Sequence, residues 1–211
     1  RIHCAGVLFA CAIVFSGCSS VQMIPSSQSR SILLNAGELE AQGIAFITPS
    51  TATGREEEKQ AVAFVFSEAM KRERPGVKVV SLPESLSAVN RTNLGDSYKR
   101  MYDDYRDTGL FKRDTLEQVG KITGCRYIAQ IKLQEFSEGA KERWGTMGFR
   151  IVETRIARVR LFLQIWDSRD GAIVWEGMSE IVHSHERISE EPVTFQRAAD
   201  NAAQQLILRL P

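Results

Sequence analysis

The chain has 211 residues, 43% of them hydrophobic and 25% charged, with a formal net charge of +1. That composition is ordinary for a globular domain with a real core. A near-neutral balance argues against nucleic acid as the main partner, because that binding needs a concentrated basic face.

An apolar run from Ala5 to Phe15 leads into Ser16-Gly17-Cys18-Ser19-Ser20. About eleven apolar residues suit the core of a secretory signal and are too short to span roughly 30 Å of hydrocarbon. A small residue, a glycine and a cysteine then form a lipobox. Cleavage behind Gly17 and acylation of Cys18, with palmitate-like chains, are expected of an exported bacterial lipoprotein. The basic flank is thin (Arg1, His3), Phe15 stands where leucine is more usual, and the lack of a first methionine suggests more leader upstream. Ser19 after the cysteine, in place of aspartate, fits sorting to the outer membrane. Each buried acyl methylene contributes about 0.8 kcal/mol, so several chains hold a protein stably. The following serines and glutamines, interrupted by Pro25, read as a polar tether. The expected division is 1–17 signal peptide, 18–42 lipidated cysteine and tether, and 43–211 a single α/β domain. Cys4 and Cys11 fall in the leader and Cys18 is the acyl acceptor, so Cys125 is left alone and no intramolecular disulfide is expected. Its setting reads as a buried small hydrophobe.

Ile44 to Ile47 reads as a short buried strand. A helix follows from Glu56 to about Arg72, with Ala61, Val62, Val65, Phe66, Ala69 and Met70 as its core face. Glutamates in its first turn and Lys71 and Arg72 in its last suit the helix dipole. Val77 to Ser81 is a second strand, and Pro83 opens a short helix with Leu86 and Val89 inward. Tyr98, Met101, Tyr102 and Tyr105 repeat at helical spacing. Asp114 reads as the N-cap of a helix carrying Leu116, Val119 and Ile122. Arg126 to Phe136 alternates as a strand. Ser137 to Gly148 reads as a loop. Arg150 to Asp167 is a long strand whose two halves have opposite apolar parity, which a bulge near Ala157 would reconcile. Asp170-Gly171 marks a hairpin turn, Ala172 to His185 the return strand, and Pro192 the start of a last helix. The predicted fold is α/β: a single mixed sheet with two N-terminal strands joined through helical crossovers, an antiparallel three-strand meander, covering helices and a C-terminal helix.

The sharpest internal pattern is Trp166-Asp167, a turn, then Gly171 and Val174-Trp175, in which the two tryptophans could pair across the hairpin. Together with Thr123-Gly124-Cys125-Arg126-Tyr127-Ile128 leading into a strand, it resembles the family of the curli-export lipoprotein, over roughly Gly43 to Leu210. Related members are lipoprotein activators of peptidoglycan synthases and lipoprotein rings of exopolysaccharide secretion. The resemblance implies a non-enzymatic, often ring-forming component of an envelope assembly or secretion system, facing the periplasm, with envelope proteins and further copies of itself as partners. The chain lacks the long amphipathic insertion of a barrel-forming exporter, which sets it apart from a self-made pore.

Several clusters carry two readings. Trp144, Met147 and Phe149, with Lys141 and Arg143, either contact a membrane or partner or fold back on the sheet. Arg150, Arg155, Arg158 and Arg160 either meet an anionic polymer or pair with acids such as Glu153 or Glu176. His183 and His185 share a strand face but lack an evident third ligand, so no metal is expected. Asp103, Asp104 and Asp107 read as a solvated helix face. No cofactor motif and no catalytic set stand out, so the chain is expected not to be an enzyme. The alternative is an envelope glycan-binding protein or enzyme on the same scaffold.

Overall fold

The computed structural model describes residues 22–52, 56–144, 150–186 and 194–211. Seven strands form one mixed sheet: β1 (Gln22–Ser31), β2 (Ile44–Phe46), β3 (Ser50–Thr51), β4 (Val79–Val80), β5 (Tyr127–Trp144), β6 (Arg150–Asp167) and β7 (Ile173–Glu186). The helices are α1 (Glu38–Gln42), α2 (Glu56–Glu73), α3 (Leu82–Arg91), α4 (Gly95–Thr108), α5 (Arg113–Thr123) and α6 (Phe195–Ile207). The strand order is β1-β7-β6-β5-β2-β4, with β3 beside β5. β2 runs parallel to both β4 and β5, and the meander β5-β6-β7 is antiparallel. This is the architecture expected from the sequence, with the two-residue β3 added beside β5 and one strand more, β1, at the edge.

That strand is the main correction. Residues 22–31, read as tether, pair along their whole length with β7, from Gln22 opposite Ser184 to Ser31 opposite Trp175. A ladder is made by the backbone, so a run of serine and glutamine can join it without an apolar pattern. Helix α1 also lies inside the expected tether, with Leu39 buried. Only residues 19–21 separate Cys18 from the first strand.

Apolar side chains collect on both faces of the sheet. Tyr127, Ala129, Ile131 and Leu133 of β5 and Val159, Leu161, Leu163 and Ile165 of β6 meet α2 and α6 on one face. Ile128 and Trp166 meet Val89, Tyr98, Met101, Phe111, Leu116 and Val119 on the other. The α2 bounds agree with the sequence pattern. Its glutamates fill the first turn, and Val62, Val65, Phe66, Ala69 and Met70 are buried.

Smaller corrections are local. The bulge falls in β5, between Leu133 and Glu135, while β6 runs in register with β7 from Thr154 to Ile165. The two tryptophans do not pair. Trp175 stands opposite Ile165, Trp166 opposite Ile173, and the irregularity between them puts the rings on opposite faces. Lys112, not Asp114, is the N-cap residue of α5. Leu86 of α3 points outward, because Leu82, Ser85 and Val89 already make the buried stripe. Helix α6 is capped by Thr194, whose hydroxyl accepts from Arg197 N at 3.3 Å. Pro192 lies outside the described residues. The span read as a loop from Ser137 is strand as far as Trp144.

Candidate functional site

The two motif segments meet at one end of the sheet. Gly124 ends α5 in the left-handed region (φ 64°), a conformation that favours glycine. The turn lets Arg126 leave the helix end and face Asp167 at the end of β6. Its guanidinium donates to Asp167 Oδ2 from Nε (2.9 Å) and Nη2 (2.6 Å) and lies over the Tyr127 ring at 5.2 Å. Asp167 also caps the hairpin turn, accepting from Arg169 N at 3.0 Å. Burial pushes the Asp167 carboxyl up, but these hydrogen bonds and the arginine charges outweigh it and hold the carboxyl below its ordinary value. Burial pushes the Tyr127 hydroxyl up to about 12. These residues form a joint that ties α5, β5 and the turn together. The neighbouring Cys125 is buried, and burial raises its thiol above the ordinary value, opposite to what a nucleophile needs.

The opposite end of the sheet carries the candidate contact residues. Gln22 stands beside Ser184, Ser184 beside Ile156, and Ile156 beside Gly139. Beyond that row β7 accompanies β6 as far as Glu186 opposite Thr154, and β5 and β6 run on as an arm, with Lys141 opposite Thr154, Arg143 opposite Val152 and Trp144 opposite Arg150. Met147 and Phe149 lie outside the described residues, as do Gly17 and Cys18. His183 and His185 stand in β7 opposite Ala157 and Arg155.

Between these ends, Arg158 and Arg160 are bound to the acids Glu135 and Glu180. Arg160 donates to Glu180 Oε2 from Nη2 at 2.9 Å. Arg158 lies 3.4 Å from Glu180, and Glu135 is within 3.8 Å of both arginines. Glu180 faces Arg160 across the β6–β7 ladder, and Glu135 faces it across β5–β6. The bulge in β5 aligns that second pair, which no reading of a single strand would find. Asp103 and Asp107 pair with Arg106 on the exposed face of α4.

Two concavities escaped the sequence reading. A cleft of about 570 Å³ lies between α4 and the loop carrying β3, lined among others by Tyr102, Tyr105, Lys59, Lys132 and Arg106. Tyr102 donates to Thr48 O at 2.7 Å, and Tyr98 accepts from Thr48 N at 3.0 Å. Burial pushes the Tyr102 hydroxyl well above its ordinary value, so it stays a neutral donor. Lys132 has no ion-pair partner among the described residues. The second concavity, of about 630 Å³, is apolar and lies between α2 and α3, where Phe64 and Leu86 stand exposed. The signal for it was a large aromatic, Phe64, on the otherwise polar side of α2. Among the described residues no three metal-ligating side chains converge, and no helix is long and apolar enough to cross a membrane.

No family model and no curated protein sequence matches the chain. Solved structures do. The PelC dodecamer from Paraburkholderia phytofirmans superposes with a TM-score of 0.50 at 10% identity, over 87% of this chain and 95% of that one. Lipoprotein GNA1162 from Neisseria meningitidis gives 0.42 at 14%, over 79% and 98%. The LpoB C-terminal domain from Salmonella enterica gives 0.36 at 14%, over 66% and 82%. At these identities the likeness is one of fold.

Proposed function

We propose that the chain is an outer-membrane lipoprotein facing the periplasm. Acyl chains on Cys18, exposed by cleavage behind Gly17, hold it there as a non-enzymatic structural or regulatory component of an envelope assembly or secretion system. The supporting observation is the position of β1. Cys18 precedes Gln22 by four residues, a reach of at most about 14 Å. Gln22 lies on the row of Gly139, and the arm runs five residues farther to Trp144, about 16 Å at strand rise. The reach available to the anchor and the length of the arm, counted from that row, are therefore similar. On this reading Trp144, Met147 and Phe149 contact the bilayer or a partner at its surface, with Lys141 and Arg143 near head groups. A PelC with this fold is a dodecamer, which supports self-association here.

Mass spectrometry of the purified native protein tests the anchor: a tri-acylated N-terminus on Cys18 is expected, and a free thiol there overturns the reading. Trp144→Ala in the protein without its lipid should lower liposome binding several-fold. Unchanged binding removes the arm from the membrane contact.

One observation favours a second reading, an envelope glycan binder. The α4 cleft combines tyrosines with Lys132, a cation that has no ion-pair partner among the described residues, a lining suited to an anionic sugar. Titration with cell-wall and polysaccharide fragments should then show binding that Lys132→Ala weakens. No binding by any anionic fragment removes it.

A further inference from the structure

The other long strands of the sheet are held by side chains as well as by backbone. β6 buries Val159, Leu161, Leu163 and Ile165, and β7 buries Val174, Trp175 and Ile181. β1 differs. On the side facing α6 it offers Pro25, Ser27, Ser29 and Ser31, opposite Ile181, Ser179, Gly177 and Trp175. Its other side carries Ile24, Ser26, Gln28 and Arg30. From Ile24 to Ser31 no residue is buried, and only Ser27 is even partly covered. Among the described residues one hydrogen bond joins a β1 side chain to another element: Arg209 Nε donates to Ser27 Oγ at 2.8 Å. Opposite Ser27, the buried Ser179 hydroxyl has no partner, a bond that docking β1 does not supply.

β1 is therefore held by its backbone ladder on an exposed edge. Local opening takes the least free energy where backbone bonds face solvent and few apolar contacts are lost. Both conditions meet in this strand, and they end sharply at its last residue. The N–H groups of Ile32, Leu33 and Leu34 all donate to the Val174 carbonyl, at 2.9, 3.0 and 3.2 Å, and the Ser31 hydroxyl donates to Leu34 O at 2.7 Å. Leu34 is buried, as is Leu39 beyond it. The core grips the chain from Leu34 onward, so β1 can leave β7 with Leu34 as the fixed point.

Its place in the chain gives such release a consequence. With β1 docked, Cys18 reaches the domain at Gln22 through at most about 14 Å. With β1 free, sixteen residues join Cys18 to Leu34. Fully stretched they span about 56 Å, and as a flexible serine-rich chain about 20–24 Å on average.

We propose that β1 is a releasable strap. Docked on β7, it keeps the domain and its β5–β6 arm at the bilayer surface. Undocked, it becomes the polar tether its composition suits and lets the domain stand away from the bilayer toward partners deeper in the envelope. The direction of that extension rests on the anchored reading above; the release of the strand does not.

Hydrogen exchange of the full-length lipoprotein in vesicles of phosphatidylethanolamine and phosphatidylglycerol tests the release. Amides of residues 24–31 should be protected at least about a hundredfold less than those of residues 159–165. Equal protection would overturn the proposal. Ser27→Cys with Ser179→Cys places thiols on opposed residues, at a spacing a disulfide can bridge, and the native Cys125 is buried. Oxidation should raise protection of residues 24–31 at least about tenfold, and reduction should restore fast exchange. Gln28→Cys with Met178→Cys is the second pair, in case the first folds poorly. If neither bridge changes exchange there, the opening is not release from β7, and the proposal falls.

A third variant frees the strand. Ile32 N donates to Val174 O, the next pair in register, so Gln28, an even number of residues back, also has its N–H in the ladder. Gln28→Pro removes that bond. It should leave the near-UV spectrum and the urea midpoint unchanged while residues 24–31 exchange freely. Loss of the whole fold would show β1 to be integral and overturn the strap. On a supported bilayer, neutron reflectometry should find a thicker protein layer for Gln28→Pro than for the oxidised cysteine pair. Equal layers with a free β1 would overturn the extension. An unmodified Cys18 would overturn the anchored reading and the extension with it, while exchange still decides the release.

Discussion

The face of the sheet under α2 and α6 and the face under α3, α4 and α5 are built from different side chains. The first is mostly aliphatic, with Val159, Leu161, Leu163 and Ile165 from β6 and alanines from α6 packed around the rings of Phe46, Phe66, Tyr127 and Trp175. The second is aromatic and hydroxylated. Tyr105 stacks on Phe111 at 4.2 Å, Phe111 meets Trp166 edge-on at 5.1 Å, and Tyr98 and Tyr102 bind Thr48. Among the described residues four buried side-chain polar atoms lack a partner, and three of them, Ser85 Oγ, Gln130 Oε1 and Trp166 Nε1, lie on this second side. An unmade buried hydrogen bond costs about 1–3 kcal/mol. The dry face therefore supplies stability, while the second face gives some of it up and opens into a polar cleft. Shape rather than chemistry dominates the first face, and hydrogen-bond bookkeeping the second.

The comparison breaks most visibly at Trp175. Its ring lies over Gly177, where an added Cβ would come within 2.5 Å of Cη2. Trp175→Ala should lower stability by about 3–5 kcal/mol, read as the urea midpoint at constant slope. Gly177→Ala should also destabilise, since the ring has nowhere to move.

Next is the joint where the two faces meet. Asp167 is 3% exposed, and removing its cation leaves a buried carboxylate without its main partner. Arg126→Ala should cost about 3 kcal/mol at neutral pH. The pH dependence is the sharper readout. Because the folded Asp167 carboxyl is held below its ordinary value, its contribution is complete above the unfolded value near 3.9 and is lost as pH falls through the folded one. The variant should lose stability mostly above that range, so its acid limb should be flatter than that of the parent.

On the second face a single hydroxyl matters less. Tyr102→Phe keeps the ring against Phe111 and removes the bond to the Thr48 carbonyl. A loss of about 1 kcal/mol is expected, against nearly nothing for Tyr105→Phe, whose bond to Gln164 is long at 3.4 Å.

The same contrast explains what was legible in the sequence. Helices with an apolar stripe could be read directly: α2 was bounded within a residue or two, and the parity of Val159 to Ile165 assigned the dry face. The meander followed from its turn, in which Asp170 and Gly171 are decisive. Features fixed by a partner strand could not be read. β1 has no pattern of its own because β7 supplies its register. The salt-bridge partners Glu135 and Glu180 come from neighbouring strands, and the irregularity near Val174 separates two tryptophans that sequence spacing sets side by side. Of the contact residues named from sequence, Trp144, Lys141 and Arg143 fall on a strand arm rather than a loop. The groove at Phe64 needed the packing of α3, since whether an apolar side chain is covered depends on what lies opposite.

Phe64 gives the smallest effect on folding and the most specific test of the division between core and surface. It is 59% exposed, more than the neighbouring Ala63 and Val65 by an order of magnitude, and it belongs to neither core. Replacing an exposed side chain away from caps and buried contacts changes stability by no more than about 0.5 kcal/mol. Phe64→Ser should therefore leave the urea midpoint of the dilute protein within that margin, whereas Phe66→Ser, one turn face away and fully buried, should destabilise it by several-fold more. If Phe64 is held on the surface for packing within its own molecule, the two midpoints will fall together. If it is held there for a neighbour, the Phe64→Ser midpoint will stay while the assembly measured by light scattering falls apart at concentrations where the parent remains associated.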